Sequence, residues 1–196
     1  MIDRIINDIN KALDAEAYMA ALALVLTLPD ICGKVAYGET LRNKERYIKW
    51  YEDNIGKYEK SPNDNSKLKD TYLSGEVIYQ LRCSVLHQGN PNIDKDKVQD
   101  FECKIDSFEI VVEKRNAFEL YSDSKRKYIQ KVNGILSFYS IKYRMNLRRV
   151  CGIITAVAKS YWEENKEKFN FFNYKIIDGD KEREDLESKY GNNDVY

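Results

Sequence analysis

From residue 2 to residue 13 the apolar side chains Ile2, Ile5, Ile6, Ile9 and Leu13 recur with the period of an α-helix, and from Ala17 to Leu28 no residue is charged and nearly all are apolar. A helix with one apolar stripe can lie on a surface, but one that is apolar on every side has to be enclosed. The pattern predicts a single helix over residues 1–28 whose second half is buried in the core of a mainly helical domain. The competing readings, a secretory leader or a membrane span, fit less well. Asp3, Asp8, Asp14 and Glu16 stand where a leader carries basic residues. The apolar run is also shorter than the roughly 18 residues expected of a span. Pro29, Asp30 and Gly33 are expected to break the helix.

A second helix is expected over about residues 40–58, with Leu41, Tyr47, Ile48, Trp50, Tyr51 and Ile55 as its apolar positions, followed by a polar loop over residues 60–67. A third begins at Ser74, a good N-cap, with Glu76 in its first turn, and stops at Gly89. Residues 92–100 are polar and irregular. The pattern then changes. Residues 103–113 read as a strand rich in Ile, Val and Phe, Asn133-Gly134 as a hairpin turn, and residues 135–145 as an alternating strand. Asn146 can cap a last helix running to about Phe169, with Leu147, Val150, Cys151, Ile154, Val157, Ala158, Tyr161 and Trp162 on its apolar face. The expected fold is mainly α. It is an up-and-down four-helix core over residues 1–177, with a small antiparallel β insertion at about 103–145 and an acidic tail over 178–196. An aromatic patch at residues 169–174 either closes the core or forms a dimer contact.

The 196 residues suit one domain, large enough to bury a core without metals or disulfides. Three prolines and nine glycines argue against a largely disordered chain. The 32 basic and 32 acidic residues cancel, but they are segregated. Residues 124–162 hold nine Lys or Arg and no Asp or Glu, whereas residues 178–196 hold seven acids and three bases. Local charge, not the sum, sets the attraction for a polyanion. The basic belt is Lys125, Arg126, Lys127, Lys131, Lys142, Arg144, Arg148, Arg149 and Lys159, interleaved with Tyr128, Phe138, Tyr139 and Tyr143. Such a belt can bind RNA phosphates and stack bases. Equally, it can be a solvated face, or dock the acidic tail or an acidic partner. Cys32, Cys83, Cys103 and Cys151 lie too far apart for paired metal ligands and there is one histidine, so four reduced thiols and a cytoplasmic location are expected, with no metal or other cofactor.

That histidine, His87, stands near the end of the third helix, five residues after Arg82. A neutral imidazole can take a proton near pH 7 and a guanidinium can hold a phosphate. Five helical residues turn through about 140°, so the two side chains do not share a face unless the arginine reaches round the helix end. Cys83 and Ser84 lie directly beneath His87. Cys83 with His87 would also suit a thiol nucleophile and its base, although nothing in the sequence supplies an oxyanion site. A purely structural role is open as well, with His87 capping the helix end and Arg82 paired to a carboxylate such as Glu76.

The stretch from Arg82 to His87 resembles the signature of the HEPN superfamily, an arginine followed four to six residues later by a histidine on a helix of a small helical bundle. The residue after the arginine, commonly Asn, Asp or His in that superfamily, is Cys83 here. The resemblance implies a metal-independent endoribonuclease working as a homodimer, of a toxin or phage-defence type, with an antitoxin protein as a further partner. Arg82 would stabilise the transition state and His87 would act as general acid or base. Cys83, Ser84 and Gln88 would support them, Ser84 or Gln88 by orienting the imidazole or a phosphate, and the products would carry 2′,3′-cyclic phosphates. The alternative is a non-catalytic HEPN-like module that binds RNA or protein.

Overall fold

A computed structural model describes residues 2–59, 73–91, 93, 104–113, 128–132, 135–170 and 176–190, with backbone alone at 59, 104–108, 128–132 and 135–144. Two compact units divide between Asn165 and Lys166. The first is mainly helical with a small sheet.

The N-terminal helix expected over residues 1–28 is two helices, α1 (Ile2–Asp14) and α2 (Tyr18–Val25). The break combines the backbone at Glu16 with a distant side chain. Glu16 takes a positive φ of 58°, and the carbonyl of Leu13 at the open end of α1 accepts a hydrogen bond from Arg148 Nη2 at 2.9 Å. The turn lays α2 back against α1, which buries Ile2, Ile9 and Leu13 on one side and Ala21, Leu22 and Val25 on the other.

Pro29 and Gly33 do not end a helix; they belong to α3 (Leu28–Tyr37). Pro29 sits in the first turn, where the missing N–H has no helical partner to lose. Gly33 marks a close crossing, because a Cβ there would lie 2.8 Å from the Arg46 carbonyl oxygen of the next helix. By length and a mean hydropathy of 1.6 the stretch Tyr18–Tyr37 could cross a membrane. In this fold it is interrupted at Leu26 and Thr27, between α2 and α3, and Leu22, Val25, Leu26, Leu28 and Cys32 are fully enclosed.

Gly38, at φ 56°, turns the chain into α4 (Asn43–Tyr51). Tyr47, Trp50 and Tyr51 of α4 are buried, and the Tyr47 hydroxyl donates to the Leu26 carbonyl at the end of α2 at 3.1 Å. The expected helix over residues 40–58 changes register within its length. Glu52–Gly56 form a π-helical turn before the short α5 (Lys57–Glu59). The turn delivers the Glu52 carboxylate to the start of α6 (Gly75–Gln88), where its Oε1 accepts the Gly75 N–H at 2.6 Å. Ser74 caps the same end by accepting from Val77 N at 3.3 Å. Lys44 of α4 pairs with Glu76 at 2.6 Å, and Gln80 donates to the same carboxylate at 3.2 Å. These bonds fix the rotation of α6 against α4. The helix stops at Gly89, left-handed at φ 69°, as its sequence predicts.

The expected β insertion is present, with one correction. Strands β1 (Lys104–Val111), β2 (Tyr128–Val132) and β3 (Ile135–Asn146) lie in the order β1-β3-β2. Only β2 pairs antiparallel with β3, from Tyr128 opposite Ser140 to Val132 opposite Ile135. Strand β1 runs parallel to β3, Lys104 opposite Ser140 through Val111 opposite Asn146. The order puts β1 and β2 on opposite edges of β3, so the chain crosses over between them and β1 is not joined to β3 by a hairpin. Strand β3 leads into α7 (Leu147–Glu164). The Asn133-Gly134 turn, the polar loop at 60–67 and Cys103 lie outside the described residues, as does all but Ile93 of residues 92–100. Asn146 caps α7 by accepting from Arg149 N at 3.3 Å, and Leu147, Val150, Cys151, Ile154 and Ala158 are buried. Trp50 of α4 meets Tyr161 of α7 edge-on at 5.7 Å.

The second unit holds a 3-10 turn (Lys166–Phe169), in which Phe169 is buried, and helix α8 (Gly179–Tyr190), which buries none of its residues. Most of the acidic tail is therefore an exposed helix. The rest of the expected aromatic patch, apart from the exposed Asn170, lies outside the described residues.

Candidate functional site

The last two turns of α6 carry Arg82 and His87, and the first turn of α3 carries Asp30. Both ends suit their charges: a carboxylate is favoured near a helix N-terminus, and basic groups near a C-terminus. Asp30 Oδ2 accepts from Arg82 Nε at 2.9 Å and lies 2.8 Å from Arg82 Nη2. The side chains of both residues are 17% exposed. The third guanidinium nitrogen, Nη1, reaches His87 Nε2 at 3.2 Å. The long arginine stem thus spans the 140° turn that separates the two residues on the helix.

The contact fixes the chemistry of the imidazole. Arginine has only donors, so as a hydrogen bond this contact requires His87 Nε2 to accept, which is the Nδ1–H tautomer. His87 is exposed, and its Nε2 faces the charged edge of Arg82. Burial pushes the Asp30 carboxyl above its ordinary value, against the opposing pull of Arg82 and Arg46. Burial also opposes the charge on Arg82, but the Asp30 carboxylate outweighs it and holds the guanidinium above its usual value.

The other residues expected here fall into distinct places. Ser84 is buried on the inner face of α6, out of reach of a phosphate in solvent, while Gln88 is exposed beside His87. Cys83 is half-buried and shares a hydrogen bond with Tyr79, whose hydroxyl is pushed up to about 12 by burial and then by Cys83. Tyr79 packs edge-on against Tyr47 at 5.3 Å, with Lys44 5.9 Å over its ring. Glu76, expected as a carboxylate for Arg82, is taken by Lys44.

The basic belt divides as well. Lys125, Arg126 and Lys127 lie outside the described residues, and Lys131, Lys142 and Arg144 are placed on strands by backbone alone. Arg148 is turned inward, capping the end of α1 through Leu13 and lying 5.9 Å over the Tyr18 ring. Arg149 is half-buried at the start of α7, and Lys159 reaches Asp3 at 4.0 Å. Asp30 is the member of this cluster that the sequence does not single out, where it reads as part of a helix break. One signal could have found it: it is the only acid between Glu16 and Glu39, set in an apolar stretch where a carboxylate needs a cationic partner.

No protein-family model matches the chain, nor does any curated protein or solved structure.

Proposed function

We propose that the chain is a cytoplasmic, homodimeric, metal-independent endoribonuclease of HEPN type, acting as a toxin or phage-defence effector and held in check by an antitoxin protein. The four-helix core of that superfamily would correspond to the helices carrying and flanking α6. The observation behind the reading is the 3.2 Å contact between Arg82 Nη1 and His87 Nε2 on an exposed helix end. It joins a phosphate-binding cation to an imidazole at the exposed end of one helix.

The chemistry follows from the two groups. In the reaction Arg82 Nη1 would turn from His87 to the phosphoryl oxygens, which frees Nε2 to take the proton of a ribose 2′-hydroxyl, and the oxygen attacks the adjacent phosphorus. The bond to the 5′-oxygen breaks, and an imidazolium returns a proton to that oxygen. The products are a 2′,3′-cyclic phosphate and a 5′-hydroxyl. Arg82 binds the phosphoryl oxygens as their charge grows. Gln88, exposed beside the imidazole, is placed to orient a phosphate. Proton transfer of this kind contributes about 10²- to 10⁴-fold to a rate.

A second reading has its own support. The Arg82–Asp30 pair ties α6 to α3 and would serve a non-catalytic module that binds RNA or protein equally well. The test is incubation of total and transfer RNA with the protein in excess EDTA, beside Arg82→Ala and His87→Ala. Cleavage with cyclic-phosphate ends that both substitutions abolish supports the ribonuclease. A folded protein that leaves RNA intact supports the binding module.

A further inference from the structure

The geometry points to Asp30 as a positioning residue: by holding two nitrogens of Arg82 with one oxygen, it aims the third at His87 Nε2 and so sets the tautomer of the imidazole. In its account of the reaction the inference rests on the ribonuclease reading. Its account of the tautomer does not.

An Arg near the last turn of a helix has four side-chain torsions and, left alone, extends into water. Here Nε and Nη2 are both fixed on Asp30 Oδ2, at 2.9 and 2.8 Å, from a different helix. Anchoring those two atoms fixes the plane of the guanidinium, because the group is rigid. With that plane fixed, Nη1 falls 3.2 Å from His87 Nε2. Backbone spacing alone would hold the two residues on different faces. The anchor itself is costly in place. Asp30 Oδ1 is buried and has no hydrogen-bond partner among the described residues. A carboxylate that served only to tie two helices would be expected to engage both oxygens with the guanidinium fork.

The consequence for the reaction is specific. The edge of Arg82 used by Asp30 is not free for substrate, so a phosphate would be met by the Nη1 side, next to the imidazole that moves the proton. Loss of Asp30 leaves a cation able to bind RNA but no longer aimed. The expected result is a fall in kcat of about 10²-fold, with KM little changed.

The chain offers an unusually clean probe, because His87 is its only histidine. Long-range ¹H–¹⁵N NMR of uniformly labelled protein at about pH 8, above the ordinary histidine range, reports one imidazole and its tautomer. Wild type is expected to show the Nδ1–H form. Asp30→Asn, checked for folding by circular dichroism, is expected to move to the Nε2–H form common in free histidine. Arg82→Lys is a second variant that keeps an ion pair with Asp30. A single ammonium held by Asp30 cannot also reach His87, so it too should give the Nε2–H form. A wild-type Nε2–H form overturns the proposal without any variant, as does a folded Asp30→Asn protein whose imidazole is unchanged. If the tautomer shifts as expected but the wild type cleaves no RNA, the positioning role stands and the ribonuclease reading falls.

Discussion

Removing Arg82 should damage the fold and the site together, and the two effects can be separated in advance. Breaking one side of a buried ion pair costs about 3–5 kcal/mol, whereas exposed pairs contribute about 0–1 kcal/mol. With both side chains 17% exposed, the Arg82–Asp30 pair lies nearer the buried limit. Arg82→Ala is therefore expected to cost about 2–3 kcal/mol, most of it from the Asp30 carboxylate left without a counter-ion. Asp30→Asn should cost less, about 1–2 kcal/mol, because the arginine stem can carry its charge to water. The double substitution should fall short of the sum by about 1–2 kcal/mol. In urea, at a slope of about 2 kcal/mol per molar, Arg82→Ala lowers the midpoint by about 1–1.5 M. The pH dependence has a definite sign. A carboxyl whose pKa is raised by folding binds a proton more tightly in the folded state, so its contribution to stability falls as pH rises above about 3.9 through the raised value. Without Arg82 the rise is larger, and the deficit of Arg82→Ala should narrow between about pH 7 and pH 4. Single substitutions that add to within about 0.5 kcal/mol, or a deficit that does not change with pH, would refute the reasoning.

Other outcomes follow from the packing. Gly33→Ala puts a Cβ 2.8 Å from a backbone carbonyl oxygen that cannot move independently, and should cost about 1–3 kcal/mol in a urea titration despite the better helix propensity of alanine. Arg148→Ala removes the side-chain donor to the Leu13 carbonyl at the break between α1 and α2, leaving only the Glu16 N–H at 3.3 Å, and should lower stability by about 1 kcal/mol while leaving any RNA affinity, read by filter binding, unchanged. Asp53 is held below the usual carboxylate value chiefly by the Lys49 hydrogen bond, with help from Tyr37. Its contribution is present above about pH 3.9 and is lost as pH falls through the lowered value, so Asp53→Asn should flatten the acid limb of a stability–pH curve, opposite in sign to Asp30.

The sequence exposed the parts of this fold whose determinants are local. Ser74 and Gly89 mark the ends of α6 through side-chain capping and a left-handed backbone, and Asn146 marks the start of α7, all visible in a few residues. The apolar periods of α1 and α7 predicted the buried faces for the same reason. The failures are non-local. The break after Asp14 depends on Arg148, more than a hundred residues away. Pro29 and Gly33 look like breakers until α3 is known to begin at Leu28 and to cross α4 at Arg46. The parallel pairing of β1 with β3 depends on a crossover that strand patterns do not encode. In the site, Arg82 and His87 could be found from spacing and type. Asp30 could not be assigned to them, because only the fold, in which α3 and α6 both pack on α4, brings it there.

The most direct measurement compares one RNA and its 2′-deoxy counterpart under wild type and His87→Ala in a single cleavage experiment. His87 is exposed, so its removal should change stability by less than about 0.5 kcal/mol and leave the protein folded. The account predicts that wild type cuts the RNA and not the deoxy strand, and that His87→Ala cuts neither. A folded wild type that cuts nothing, a deoxy strand cut as fast as the RNA, or a His87→Ala protein as fast as wild type would contradict it.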